Sequence, residues 1–115
     1  MANAFKTFTA QNIDTSSSKA TLYTCPADTE TTIIGLNIAN ILSVSITVTV
    51  EFHDGGVSGT TNLRHIVKDA IVPVGSSLVA VGGPQKIVMN ATDVLKVYGS
   101  QTNCCDAVLS VLEIT

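Results

Sequence analysis

The stretch SITVTVEF, which begins at Ser45, alternates polar and apolar side chains without interruption. In an extended chain, Ile46, Val48 and Val50 point to one side, whereas the threonines and Glu51 point to the other. Most of these residues are β-branched, and β-branched residues favour strands. The stretch therefore predicts a β-strand that has one face in a core and the other face outside.

Similar short runs recur about every ten residues along the chain, and Pro, Gly, Asn and Asp separate them. Apolar residues at helical spacing do not extend over any long stretch. With 115 residues, the chain is long enough to bury one core. The pattern predicts an all-β fold, an antiparallel β-sandwich (jelly-roll or Ig-like) of about eight strands. The other strands are predicted at 20–25, 32–39, 62–67, 71–74, 77–81, 86–89, 94–98 and 107–114.

The chain carries little charge for its hydrophobicity. Hydrophobic residues make up 45% of it and charged residues 13%, whereas an ordinary domain is about one quarter charged. Low charge on a strand-rich surface favours association, so we expect a homo-oligomer. The net charge of −3 and the lack of a basic patch argue against a nucleic-acid partner. No stretch is long and apolar enough to span a membrane, and MANAFKTFTAQN lacks the apolar region of a signal peptide, so we expect synthesis in a cytoplasm.

The first segment, residues 1–19, differs from the strand-rich remainder, residues 20–115, which we expect to form the sandwich domain. Two of the three phenylalanines lie in this segment and a Ser-rich run follows them. The segment is interpreted either as an edge strand or as an arm that docks on a neighbouring molecule. If the segment is an arm, Phe5, Lys6 and Phe8 are its predicted partner interface.

The last residues, QTNCCDAVLSVLEIT, are apolar almost to the end. Apolar residues at both odd and even positions predict an interior strand with both faces covered. The second sheet is expected to cover one face, and a neighbouring molecule or the N-terminal segment the other. Glu113 is expected to reach water near the edge.

No residue pattern predicts a catalytic, cofactor-binding or metal site, so we expect a protein that is not an enzyme. Cys104 and Cys105 are adjacent, so their side chains are expected to diverge, with one buried and the other in a loop. His53 and Asp54 lie at a predicted strand end before two glycines, and no nucleophile motif accompanies them, so we expect a polar hairpin tip rather than a catalytic pair. The VGGPQK stretch lacks the spacing of a phosphate-binding loop.

Five blocks of the sequence are informative when taken together: MANAFKTFTAQNI, ATLYTCPADTETTIIGLNIAN, SITVTVEF, IVPVGSSLVAVGGPQKIVMNATDVLKV and DAVLSVLEIT. These blocks resemble small virion structural proteins of tailed bacteriophages, in particular phages of cyanobacteria and other marine bacteria. Together they cover most of the chain. The segment HDGGVSGTTN and the adjacent cysteines depart from the resemblance.

The resemblance implies a non-enzymatic virion protein, and we expect a capsid decoration (cement) protein of the phage head. Its expected partners are further copies of itself, with a trimer preferred, and the major capsid protein or another virion protein. A tail or baseplate component of the same fold is the first alternative. A receptor- or glycan-binding module is the second, and a pocket beside Tyr23 or Tyr98 would favour it.

Overall fold

The computed structural model describes residues 2–56 and 62–115, and those residues form nine β-strands in two antiparallel sheets. The all-β antiparallel sandwich is thus confirmed. The predicted stretches 62–67 and 71–74 form a single strand, and the N-terminal segment adds another. Two short 3-10 segments lie in connections between strands. No helix in the described residues is long and apolar enough to cross a membrane. The strands are β1 Asn3–Ile13, β2 Ala20–Thr24, β3 Glu30–Asn40, β4 Ile46–His53, β5 Leu63–Val72, β6 Ser77–Val81, β7 Ile87–Met89, β8 Val94–Gly99 and β9 Cys105–Ile114.

The first sheet has the strand order β1-β9-β3-β6, with β7 also paired to β3, and the second has the order β2-β8-β4-β5. The core lies between them. Each fully buried aliphatic side chain contributes about 1.5–3 kcal/mol of transfer free energy, so this layer supplies most of the driving force for folding. Its largest fully buried side chains are Ile33, Leu36, Ile38, Val48, Val50, Val72, Val81, Met89, Leu95, Val97, Leu109 and Val111.

Strand β4 confirms the alternation that the sequence indicates, because Ile46, Val48 and Val50 are all buried in the core. The expectation that its other face is exposed is wrong. Thr49 and Glu51 are only 1% and 3% exposed, since neighbouring polar side chains cover them. A threonine or glutamate in an alternating strand does not reveal whether its own face is covered by other polar groups.

Strand β5 corrects the prediction of two strands at 62–67 and 71–74, because it runs without a break from Leu63 to Val72. Asp69 has a left-handed backbone, with φ of 51°, in the middle of the strand. Its N–H donates to Thr49 Oγ1 at 3.0 Å, so the side chain of the neighbouring strand replaces a ladder hydrogen bond and pairing continues. The divergent segment HDGGVSGTTN includes 57–61, which lie outside the described residues.

The N-terminal segment is the edge strand β1, which pairs antiparallel with β9 from Asn3 to Ala10 without a register shift. A single 3-10 turn, Ser16–Ser18, leads from it to β2 in the other sheet. That residues 20–115 form a domain by themselves stays a prediction.

The tail is an interior strand, as expected, because β9 pairs with β1 on one side and with β3 on the other. Leu109 and Val111 face the core, whereas Val108 lies on the outer face and is 46% exposed. Strand β1 lies beside β9 rather than over it, so the N-terminal segment does not cover that outer face. The expectation that Glu113 reaches water is wrong, because this residue lies on the inner face and is only 5% exposed.

The adjacent cysteines also differ from the expectation. Cys104 and Cys105 are both fully buried, and their sulfur atoms are 3.8 Å apart. A left-handed residue, Asn103 with φ of 51°, turns the chain just before them, so Cys104 is not yet in the alternating geometry of β9. Burial raises the pKa of the Cys105 thiol, and the neighbouring Cys104 raises it further. Both thiols are free and act here as small core side chains.

Candidate functional site

The three residues predicted to contact a partner separate onto two sides of β1. Phe5 lies on the outer side, and its side chain is 77% exposed. Lys6 turns inward, where its Nζ lies 2.8 Å from Glu113 Oε1, and the ring centroid of Phe8 lies 4.7 Å from that of Tyr23. Partner contact through all three stays a prediction, but within the chain Lys6 and Phe8 already have internal contacts.

Phe5 belongs to a larger surface, which we call the outer face: the solvent side of the five-stranded sheet. Among residues 2–56 and 62–115, eight large hydrophobic side chains are exposed, and four of them lie on this face: Phe5, Val79, Val88 and Val108, at 77%, 64%, 58% and 46% exposure. Strand register places them in two rows across the sheet. One row is Phe5, Leu112, Thr32 and Val88, and the other is Thr9, Val108, Asn37 and Val79.

These two rows contain no charged side chain. The acidic residues of the face lie at its ends, since Glu30 pairs with Ile114 at one end and Asp106 pairs with Ala39 at the other. A contiguous uncharged surface with several exposed apolar side chains is typical of a protein-binding site, whereas single exposed valines are not. The sequence offers a weak signal for it, because Val79 and Val88 occupy the exposed positions of strands too short to show a clear alternation.

Behind the edge of this sheet, Glu113 organises a buried polar cluster. Tyr23 Oη donates to Glu113 Oε2 at 2.6 Å, and Thr31 Oγ1 lies 2.8 Å from the same hydroxyl. Hydrogen bonds from Lys6 and Tyr23 lower the pKa of Glu113 against the opposing effect of burial. Burial, with the neighbouring Glu113, raises the pKa of Tyr23, so the hydroxyl keeps its proton and remains a donor. The cluster thereby fixes β1 to β2 and β9.

A second carboxylate, Glu51, lies on the far side of the four-stranded sheet. Lys19 Nζ is 3.0 and 3.2 Å from its two oxygens, His53 Nε2 is 3.0 Å from Oε1, and His65 Nε2 is 3.9 Å from Oε2. Burial alone raises the pKa of Glu51, but the hydrogen bonds and charge of Lys19 and His53 outweigh it and lower the pKa below its ordinary value. Lys19 also lies 5.5 Å from the centre of the Tyr98 ring.

The chemistry of these groups is that of ion pairing. His53 bonds Glu51 rather than Asp54, which adjoins it in sequence. Within residues 2–56 and 62–115, no group of three His, Cys, Asp or Glu side chains is placed to hold a metal ion. Two open depressions of about 410 and 430 Å³ lie at opposite ends of β9, and neither is lined by Tyr23 or Tyr98.

The two carboxylates, Glu51 and Glu113, predict how the stability of the folded state changes with pH. A carboxyl whose pKa is lower in the folded state binds fewer protons there, so its stabilising contribution is complete above the unfolded value of about 4.3. That contribution is lost as the pH falls through the folded pKa. We therefore expect the melting temperature to decrease steadily as the pH is lowered below about 4.5.

The measurement is thermal melting followed by circular dichroism between pH 7 and pH 2. The variants Glu51→Gln and Glu113→Gln should each be less stable at pH 7 and should show a flatter acid dependence. Glu30→Gln, which changes an exposed carboxyl, is the matched control and should keep the slope of the unchanged protein. Equal acid slopes for all four proteins would contradict the assignment.

Comparisons with known proteins show the fold. No family model and no curated protein matches the sequence. Among solved structures, a chain of the disulfide-linked pili that form Bacillus endospore appendages has a TM-score of 0.56 and 16% identity, over 98% of this chain and 88% of that one. A chain of infectious bursal disease virus, Gx strain, has a TM-score of 0.56 and 14% identity over 97% of this chain. The corresponding chain of the Gt strain has a TM-score of 0.53 and 10% identity over 96% of this chain. This protein spans 31% of the length of each virus chain.

Proposed function

We propose that this protein is a non-enzymatic structural subunit of a tailed-bacteriophage particle, and that it decorates the head as a cement protein. The observation that carries the proposal is the outer face, an uncharged sheet surface with Phe5, Val79, Val88 and Val108 exposed. The sequence blocks that resemble phage virion proteins support the phage particle as its location. The similarity in fold to chains of a virus and of a pilus supports a role in assembly.

The mechanism is mechanical. Each copy binds neighbouring shell subunits through the outer face and associates with further copies of itself. Burial of apolar surface yields about 25 cal/mol per Å², so a contact of ordinary size adds free energy across seams that internal pressure strains. Modest affinity at each contact suffices, because many linked contacts act together.

The outer face gives a direct test on virions. A glutamate placed in an apolar interface must lose its water, so Val88→Glu should abolish or strongly reduce incorporation into particles while the isolated protein melts normally. Val44→Glu is the matched control, since Val44 is 46% exposed and lies between β3 and β4, away from the two rows. Normal incorporation of Val88→Glu would overturn the proposed binding surface.

The head location has its own measurement, which is the copy number by quantitative gel densitometry of virions. A copy number comparable with that of the major capsid protein supports decoration of the head. A copy number comparable with that of the tail components supports the tail or baseplate alternative, which uses the same fold. Absence from purified virions would contradict both.

A further inference from the structure

In the part of the chain that the structure describes, the two sheets have four edges, which are protected from association to very different degrees. Exposed edge strands pair with other chains unless they are short, bulged or charged. Strand β2 has five residues and a register shift, β6 and β7 have five and three residues, and β5 has two register shifts. The fourth edge, β1, has eleven residues and runs from Asn3 to Ala10 in unbroken register.

The hydrogen-bonding groups of β1 can be assigned to its two sides. Thr115 N–H donates to Ala2 O at 2.9 Å, so Ala2 directs its backbone toward β9. Direction alternates along an antiparallel strand, so the even-numbered residues that follow also face β9. The backbone N–H and C=O groups of Phe5, Thr7 and Thr9 therefore point outward, from the end strand of the sheet.

The one charged residue of β1 does not guard this edge. Lysine side chains on an edge strand normally discourage pairing. Here Lys6 Nζ is held by Glu113 at 2.8 Å on the inner side of the strand. The outer-face side chains of this segment, Phe5, Thr7 and Thr9, are uncharged, and their backbone groups are regularly spaced along the open edge.

We propose that β1 pairs antiparallel with β1 of a second copy of this chain, with Thr7 on the twofold axis. This rests on the proposed self-association and names the contact that produces it. The contact is twofold, so it predicts a dimer or an even-numbered assembly in place of the trimer that the resemblance suggested. Because residues directly opposite each other share a face, the outer faces of the two copies join into one continuous surface.

The register follows from the geometry of the regular segment. The midpoint of the regular segment Asn3–Ala10 falls between Lys6 and Thr7. In an antiparallel pair, the residues with outward backbone groups on one copy must lie opposite the same kind of residue on the other copy. A twofold axis near the midpoint therefore passes through Lys6 or through Thr7. An axis at Lys6 sets two ammonium groups directly opposite each other, which is unfavourable. An axis at Thr7 instead pairs Thr7 with its own copy, Phe5 with Thr9 of the second copy and Lys6 with Phe8 of the second copy.

Cysteine cross-linking of the full-length protein tests both the edge and the register. The native cysteines Cys25, Cys104 and Cys105 are buried, so an introduced thiol on the outer face is the one that reacts. Under oxidised glutathione, Thr7→Cys should form a disulfide-linked dimer, because directly opposite residues lie within the Cα range that a disulfide requires. Thr9→Cys is the matched control, since the two copies of Thr9 are about 13 Å apart in this register.

A mixture of Phe5→Cys and Thr9→Cys chains should cross-link with each other, although each alone should not. Equal cross-linking of Thr7→Cys and Thr9→Cys would overturn the proposed register. If light scattering shows an oligomer of the unchanged protein but none of these variants cross-links, the edge contact is wrong and self-association stands. A monomer at all accessible concentrations would overturn both.

A positive charge introduced on the proposed axis gives an independent measurement. Thr7→Lys sets two ammonium groups opposite each other on the axis and should weaken association at least tenfold in light scattering, with partial recovery at high salt. Thr24→Lys places the same charge at an exposed position of the other sheet and should leave association unchanged. Equal effects of the two variants would contradict the proposal.

Discussion

A chain that ends at Asp106 is expected to give no cooperative thermal transition in circular dichroism. The truncation removes Ala107, Leu109 and Val111, which are at most 1% exposed, and it removes the strand that joins β1 to β3. Truncation of one buried leucine typically costs about 2–5 kcal/mol, and a domain of this size has about 5–15 kcal/mol in total. The loss of two hydrogen-bonded ladders adds to this, so the folded state should not survive.

The control for this truncation is a chain that ends at Ile114. Thr115 is exposed and contributes hydrogen bonds to Ala2 at the end of the sheet, so its removal should lower the melting temperature by only a few degrees. A cooperative melt of the Asp106 chain close to that of the full protein would show that β9 is an attachment peptide rather than a central strand.

A chain that begins at Ala10 is expected to be strongly destabilised, by at least about 3 kcal/mol, or about 12 °C in melting temperature. This truncation removes the β1 ladder, the contact of Phe8 with Tyr23 and the ammonium group of Lys6 beside Glu113. Glu113 then remains beside Tyr23 without its cation. Removal of the cation from a buried carboxylate strongly lowers the free energy of unfolding, because the remaining charge is left unpaired.

Phe5→Ser distinguishes loss of the strand from loss of its exposed side chain. Phe5 is 77% exposed, so Phe5→Ser should leave the melting temperature nearly unchanged while it alters the outer face. If instead the Ala10 chain melts within a few degrees of the full protein, the N-terminal segment is dispensable for folding. That result would support the division into a segment of 1–19 and a sandwich domain of 20–115.

The sequence predicts the sandwich because alternation depends on local geometry. The period of two in β4 and the apolar tail in β9 both follow from the direction of successive side chains, and the structure confirms both strands. The burial of Glu51 and Glu113 could not be predicted in this way. Each is covered by a cation that comes from a distant part of the chain, Lys19 in one case and Lys6 in the other.

The candidate site was predictable only in part, for the same reason. Phe5 stands out as an aromatic residue in a polar segment, and the structure places it on the outer face. Val79 and Val88 join it there because strand order brings β6 and β7 into the same sheet as β1. Likewise, the turn at Asn103 brings the Cys104 and Cys105 sulfurs together, although regular alternation would separate them.

The pairing of β1 with β9 also constrains how the protein folds. It joins Asn3 to Ile114, so the first and last strands of the described chain meet in one ladder. Closing such a long loop costs entropy before any contact repays it, and chains rich in distant pairings fold in milliseconds to seconds. During synthesis, β3 and β1 must wait for β9 to leave the ribosome before the five-stranded sheet can assemble. For that interval β1 and the β9-side edge of β3 are open to chaperones and to neighbouring nascent chains alike.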